Sequence, residues 1–175
     1  METQVHPTLL GSCAKAATMA EAQFRVDYPN SKTRSSRIFA LDKKAAQVLQ
    51  QISEAPWNGA HFLTVLPAKD GKDATDAAYL RLSHPDGSPA DVFEELRHAD
   101  VVILISCDTR ATGTAEAIAK VAFANKTMIA GLALAEGKSE GVTNEVVASL
   151  RPYASVLVVA QDNDFVPAML TALRA

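Results

Sequence analysis

Val101-Val102-Ile103-Leu104-Ile105 is apolar at every position. A strand with one wet face alternates polar and apolar residues. An unbroken run suits a strand covered on both faces, as in a parallel sheet packed between helices. Ser106 ends the run, and the loop from Ser106 to Gly113 leads into a segment carrying Ala115, Ile118, Ala119 and Ala122. Their spacing predicts one apolar stripe of a helix.

The same alternation extends in both directions. Arg37 to Leu41 (R-I-F-A-L) predicts a strand. Asp42 then serves as N-cap for a helix whose Ala45, Val48, Leu49 and Ile52 fall at i, i+3, i+4 and i+7. Pro56 and Gly59 end that helix, His61 to Leu66 gives a second strand, and Ala78 to Leu82 a shorter third. Ser88-Pro89-Ala90-Asp91 predicts a helix start: Ser88 caps, Pro89 takes the first helical position, and Asp91 faces the positive dipole end. This helix reaches about His98.

Beyond the central run, Thr127 to Leu134 predicts a strand, and Thr143 caps a helix carrying Val146, Val147 and Leu150. Val156 to Ala160 is the last strand. Asp162 to Asp164 open a final helix with Val166, Met169, Leu170 and Leu173 inward. Strands alternating with helices argue for βαβ units. The expected fold is α/β: a three-layer, doubly wound, mostly parallel Rossmann-like sheet forming a single domain over residues 37–175. Residues 1–36 read as an N-terminal extension. Pro7 to Phe24 is Ala-rich enough for a short helix, Tyr28 to Ser31 reads as a turn, and Ser31 to Ser36 is polar and basic.

The totals agree with this reading. A chain of 175 residues, 48% hydrophobic, suits one domain with a real core. A formal net charge of −3 leaves no overall footprint for nucleic acid or a membrane surface. No apolar run approaches the roughly 18 residues of a membrane span. Cys13 and Cys107 share no metal or redox spacing. With Glu2 leading and Lys15 interrupting the early apolar residues, the expected location is cytoplasmic.

In a doubly wound sheet ligands bind beyond the carboxyl ends of the strands, where strand order reverses. If the Arg37 strand lies beside the Val101 strand, two loops meet there. One is Leu41-Asp42-Lys43-Lys44; the other runs from Ser106 through Asp108, Arg110, Thr112 and Gly113 to Thr114. Amides and hydroxyls opening a helix hold phosphates or carboxylates, although Thr112 alone also suffices to cap that helix. The expected contacts are Thr112, Gly113 and Thr114 to anionic oxygens, with Ser106 and Asp108 in the same loop. Arg110 and Lys43 offset charge beside Asp42, and Asn163 or Asp164 meets the ligand's polar edge.

The stretch Ala99-Asp100-Val101-Val102-Ile103-Leu104-Ile105-Ser106, then Thr112-Gly113-Thr114, then Met128 to Leu134, and finally Val156-Leu157-Val158-Val159 closing at Asn163-Asp164 resembles the nucleotide-binding half of the FtsZ/tubulin-like GTPases. The resemblance runs from about Arg37 to Asp164. It implies a nucleotide-type fold with a phosphate loop at Thr112-Gly113-Thr114. That family carries a run of glycines before Thr-Gly-Thr; here those positions read Asp108-Thr109-Arg110-Ala111. Glycines let backbone amides approach phosphates without a Cβ in the way. The family's polymerising C-terminal domain is also missing, so the resemblance implies a degenerate, non-catalytic or weakly active relative. Val102 to Ala122 is also similar to the strand, Ser/Thr-rich loop and helix of sugar-isomerase (SIS) domains, which implies a phosphosugar ligand.

No catalytic residue and no cofactor is assigned from the sequence. Cys107 follows the central strand, where a nucleophile is displayed or a packed thiol buried. His6, His61, His84 and His98 have no metal-ligand spacing, so no metal is expected. Asp162 and Asp164 offer a carboxylate pair or simple helix capping. Lys32, Arg34, Arg37, Lys43 and Lys44 form one basic stretch without interleaved aromatics, read as a solvated face. Trp57 reads as a helix-end packing residue. The expected partner is a small phosphorylated or nucleotide ligand, with no nucleic acid and no membrane. An oligomeric interaction module without ligand is the further alternative.

Overall fold

The computed structural model describes residues 33–67, 75–107, 112–135, 140–161, 163–173 and 175. The chain divides into two compact units, Met1–Lys32 and Thr33–Ala175, and the described residues belong to the second.

That unit is an α/β domain. Its strands are β1 (Ser36–Ala40), β2 (Ala60–Leu66), β3 (Arg81–Ser83), β4 (Pro89–Ala90), β5 (Val101–Ser106), β6 (Met128–Leu134) and β7 (Val156–Ala160). Its helices are α1 (Lys43–Ser53), α2 (Val92–Arg97), α3 (Thr112–Ala124), α4 (Glu140–Leu150) and α5 (Phe165–Leu173). All seven strands form one sheet in the order β4-β3-β2-β1-β5-β6-β7. β2, β1, β5, β6 and β7 are mutually parallel, while β3 and β4 add an antiparallel hairpin at one edge. This is the mostly parallel Rossmann-like sheet the sequence predicts.

The unbroken apolar runs sit where that pattern requires. Every residue of β1 and β5 is buried. Ile38, Ile103 and Ile105 face one layer with α1 and α5, including Leu49, Val166 and Leu170. Phe39, Val102 and Leu104 face the other, against Leu96 of α2, Ile118 of α3 and Leu150 of α4. Removing each such side chain from water contributes roughly 1.5–3 kcal/mol. The α3 stripe is mostly alanine, so this helix lies close to the sheet. Gly131 of β6 serves the same purpose: a Cβ there would stand 2.9 Å from Leu150 Cδ1 and closer still to Leu157.

Three expectations need correction. Ala78 to Leu82 is not one strand; a 3₁₀ turn at Ala77–Tyr79, capped by Asp76, precedes the short β3. The next helix starts at Val92 rather than Pro89, with Asp91 as its N-cap accepting from the N–H groups of Phe93 and Glu94. Ser88-Pro89-Ala90 is used instead by the β3–β4 hairpin. Its turn, His84-Pro85-Asp86-Gly87, closes through Gly87 N to His84 O (2.9 Å), with Gly87 at φ 84°. Proline presets the turn, and glycine takes the left-handed position that follows it. Ser88 Oγ and N both donate to Asp86 Oδ1, at 2.6 and 2.9 Å, and hold that carboxyl below its ordinary range. Finally, α4 begins at Glu140, so Thr143 lies within the helix and does not cap it.

Candidate functional site

β1 pairs with β5 in parallel, Ala40 opposite Ile105. After β1 the chain crosses to β2 on one side, and after the hairpin and α2 it returns to β5 on the other. Strand order therefore reverses between β1 and β5. α1 starts at the carboxyl end of β1 and packs on one face; α3 follows β5 and packs on the other. The described ends of the two loops the sequence singles out, at Asp42 and at Ser106 and Cys107, meet at a single edge, the position where ligands enter sheets of this kind.

Asp42 is the hub of that edge. Its Oδ1 accepts from Ala45 N at 2.9 Å and caps α1. Its Oδ2 accepts from Ser106 Oγ at 3.1 Å and from Cys107 N at 2.6 Å. Leu41 N donates to Ile105 O at 2.9 Å just beneath. One carboxylate therefore fastens the exit of β1 to the exit of β5. The donors nearest the sheet, an amide and a hydroxyl, already hold a negative group belonging to the chain itself. A ligand anion entering this edge meets donors further out.

Those outer groups are Thr112 and Gly113, half-buried at the start of α3, with Thr114 buried just behind them. Lys43 and Lys44 are exposed at the start of α1. Ser106 is buried, as is Cys107, whose side chain packs in the layer with α1 and α5. Asp108 and Arg110 lie outside the described residues, as do Cys13, His6 and Asp162. Asn163 is half-buried, its carbonyl accepting from Val166 N at 3.1 Å, and Asp164 is exposed. Both follow β7, which lies two strands from β5. The edge thus gathers Asp42, Lys43, Ser106 and Thr112 to Thr114, with Asn163 and Asp164 set to one side.

At the opposite, amino end of the sheet lies a cluster the sequence reading missed. Arg37 is not part of a solvated face: its side chain is 7% exposed and its Nε stands 2.6 Å from Glu95 Oε2. The approach lacks hydrogen-bond alignment at Nε, so this is an ionic contact, while Nη1 donates to Ser35 Oγ (2.9 Å) and Ser36 O (3.3 Å). His61 Nδ1 lies 3.0 Å from the same Glu95 oxygen, and His84 Nε2 lies 3.7 Å from the other. The register sets Arg37 opposite His61, and α2 lowers Glu95 over both. Only that register, absent from any local spacing, would have revealed the cluster. Among the described residues no group of three or more His, Cys, Asp or Glu is arranged to hold a metal ion.

Two smaller features lie beside α1. A groove of about 220 Å³ runs beside α1, bounded by Gln50, Phe62, Thr64, Ser83 and the hairpin turn. It falls below the roughly 300 Å³ at which small-molecule sites begin. Trp57 closes the end of α1, its Nε1 donating to Ile52 O at 2.8 Å, and meets Phe62 edge-on. No described helix is long and apolar enough to cross a membrane. The chain matches no protein-family model and no curated protein.

Proposed function

We propose that this chain is a ligand-binding domain that takes a small phosphorylated or nucleotide ligand at the carboxyl edge of β1 and β5, with no catalytic step of its own. The observation that carries the reading is the reversal of strand order between β1 and β5, with two helices opening there on opposite faces. Partial charge at the start of α3 and the exposed ammonium of Lys43 favour an anion. Because Asp42 accepts from Ser106 and Cys107, the ligand's anionic group sits outside them, on the amides of Thr112 and Gly113 and the hydroxyl of Thr112. The ligand class is the one implied by the likeness to FtsZ/tubulin-like proteins. Asp108-Thr109-Arg110-Ala111 in place of that family's glycines fits weak binding without turnover.

Thermal unfolding against a panel of nucleotides and sugar phosphates tests this. A ligand at ten times its Kd stabilises by about 1.4 kcal/mol, which raises Tm by roughly 3–6 °C for a domain of this size. Lys43→Ala together with Thr112→Val removes most of that rise. A midpoint unmoved by every compound at millimolar concentration would contradict the reading. A response to sugar phosphates alone would move it to the phosphosugar class.

A further inference from the structure

β7 forms the edge of the sheet opposite the β3–β4 hairpin, and among the described residues its one strand partner is β6. Its five residues read V-L-V-V-A, without charge or proline. Edge strands are ordinarily guarded by lysine, by proline or by shortness. The other edge is guarded in that way: β4 is two residues long and starts with Pro89. On β7 all but Ala160 keep contact with solvent although all are apolar, and Val159 is 52% exposed. Such a strand presents a row of backbone donors and acceptors, flanked by apolar side chains, to another strand.

We propose that β7 pairs antiparallel with β7 of a second copy of this chain, joining the two sheets across a twofold axis near Val158. Charge selects both the partner and the direction. Arg151 precedes the strand and Asp164 follows it. Both are exposed, and neither forms an ion pair among the described residues. An antiparallel copy sets Val156 opposite Ala160 and brings the Arg151 end of each chain against the Asp164 end of the other. The twofold axis repeats that attraction. A parallel copy sets like charge against like. The uncharged strand between them has nothing to repel its own image. This inference stands apart from the ligand reading, since β7 lies two strands from the β1–β5 edge.

Sedimentation of the full chain over a wide dilution series tests it. The unmodified chain sediments as a dimer. Val159→Lys, at a position already open to water, weakens the dimer by about tenfold or more, because an edge lysine must be desolvated for the strands to pair. Its circular dichroism stays that of the unmodified chain. Arg151→Glu also weakens the dimer, and adding Asp164→Lys restores it. These two surface positions carry the test even if Val159→Lys disturbs folding. A chain that is monomeric throughout overturns the proposal. So does a dimer that both Val159→Lys and Arg151→Glu leave intact, or a charge swap that fails to restore association.

Discussion

The two ends of the parallel sheet each carry a half-buried carboxylate bound to neighbouring strands, yet they differ in what surrounds it. At the amino end Glu95 is surrounded: Arg37, His61 and His84 approach it from three sides, and Arg37 is itself sealed. At the carboxyl end Asp42 is fully engaged beneath, but polar groups of α3 and the exposed Lys43 of α1 continue outward past it. Among the described residues, the carboxylate at one end is held within an ionic cluster, and the one at the other end borders exposed polar groups. The difference follows from topology: α1 and α3 both begin at the carboxyl edge, where the first amides of a helix have no intrahelical partner.

Single substitutions sharpen that contrast. The largest effect belongs at the amino end. Glu95→Leu leaves the guanidinium of Arg37 buried without its counter-ion and costs about 3–5 kcal/mol, read from urea denaturation. Replacing both partners, Arg37→Met with Glu95→Leu, recovers most of the loss, because neither charge is then left alone. If the double variant is no more stable than the single one, the pair is not the reason for the loss. Asp42→Ala comes next. It removes an N-cap, about 1 kcal/mol, and leaves Ser106 Oγ and Cys107 N without their acceptor, about 1–3 kcal/mol more. A loss under about 1 kcal/mol would mean that water replaces the carboxylate there and that the edge is more open than described.

The smallest effect has the opposite sign. Lys126 turns the chain at the end of α3 with φ 59°, a left-handed conformation. Lys126 N donates to Phe123 O and Thr127 N to Ala122 O, each at 3.0 Å, the pair of bonds that closes a helix on a left-handed residue. Lys126→Gly relieves the Cβ strain and raises stability by roughly 0.5–1 kcal/mol in the same denaturation experiment. A decrease would show that the lysine side chain contributes more than its backbone conformation costs.

Much of the fold was legible because its strongest signals are local. The unbroken run at Val101 to Ile105, the capping Asp42 and the alanine stripe of α3 each depend on a few adjacent residues, and each appears in place. The hairpin was missed because Ser88-Pro89-Ala90-Asp91 satisfies a helix start as well as an edge strand. Pro85-Asp86-Gly87 just before it was the stronger signal, a turn that sends the chain back on itself. The order of strands could only be assumed, and with it the closeness of Asp42 to Ser106. The Arg37–Glu95 cluster depends on register and helix placement together, so its basic member looked like part of a solvated stretch. β7 shows the limit most directly: V-L-V-V-A and V-V-I-L-I read alike, yet one lies at the edge and the other at the centre. An apolar run marks a strand, but does not report where in the sheet that strand lies.

The claim on which the functional account rests is that the carboxyl edge of β1 and β5 binds the ligand and the amino end does not. Amide chemical shifts of the uniformly labelled chain, titrated with a nucleotide and then with a sugar phosphate, address this directly. The account predicts saturable shifts at Lys43, Thr112, Gly113 and Thr114, with Arg37, His61 and Glu95 unmoved. Shifts centred on Arg37, His61 and Glu95, or none at any of these amides, would contradict it.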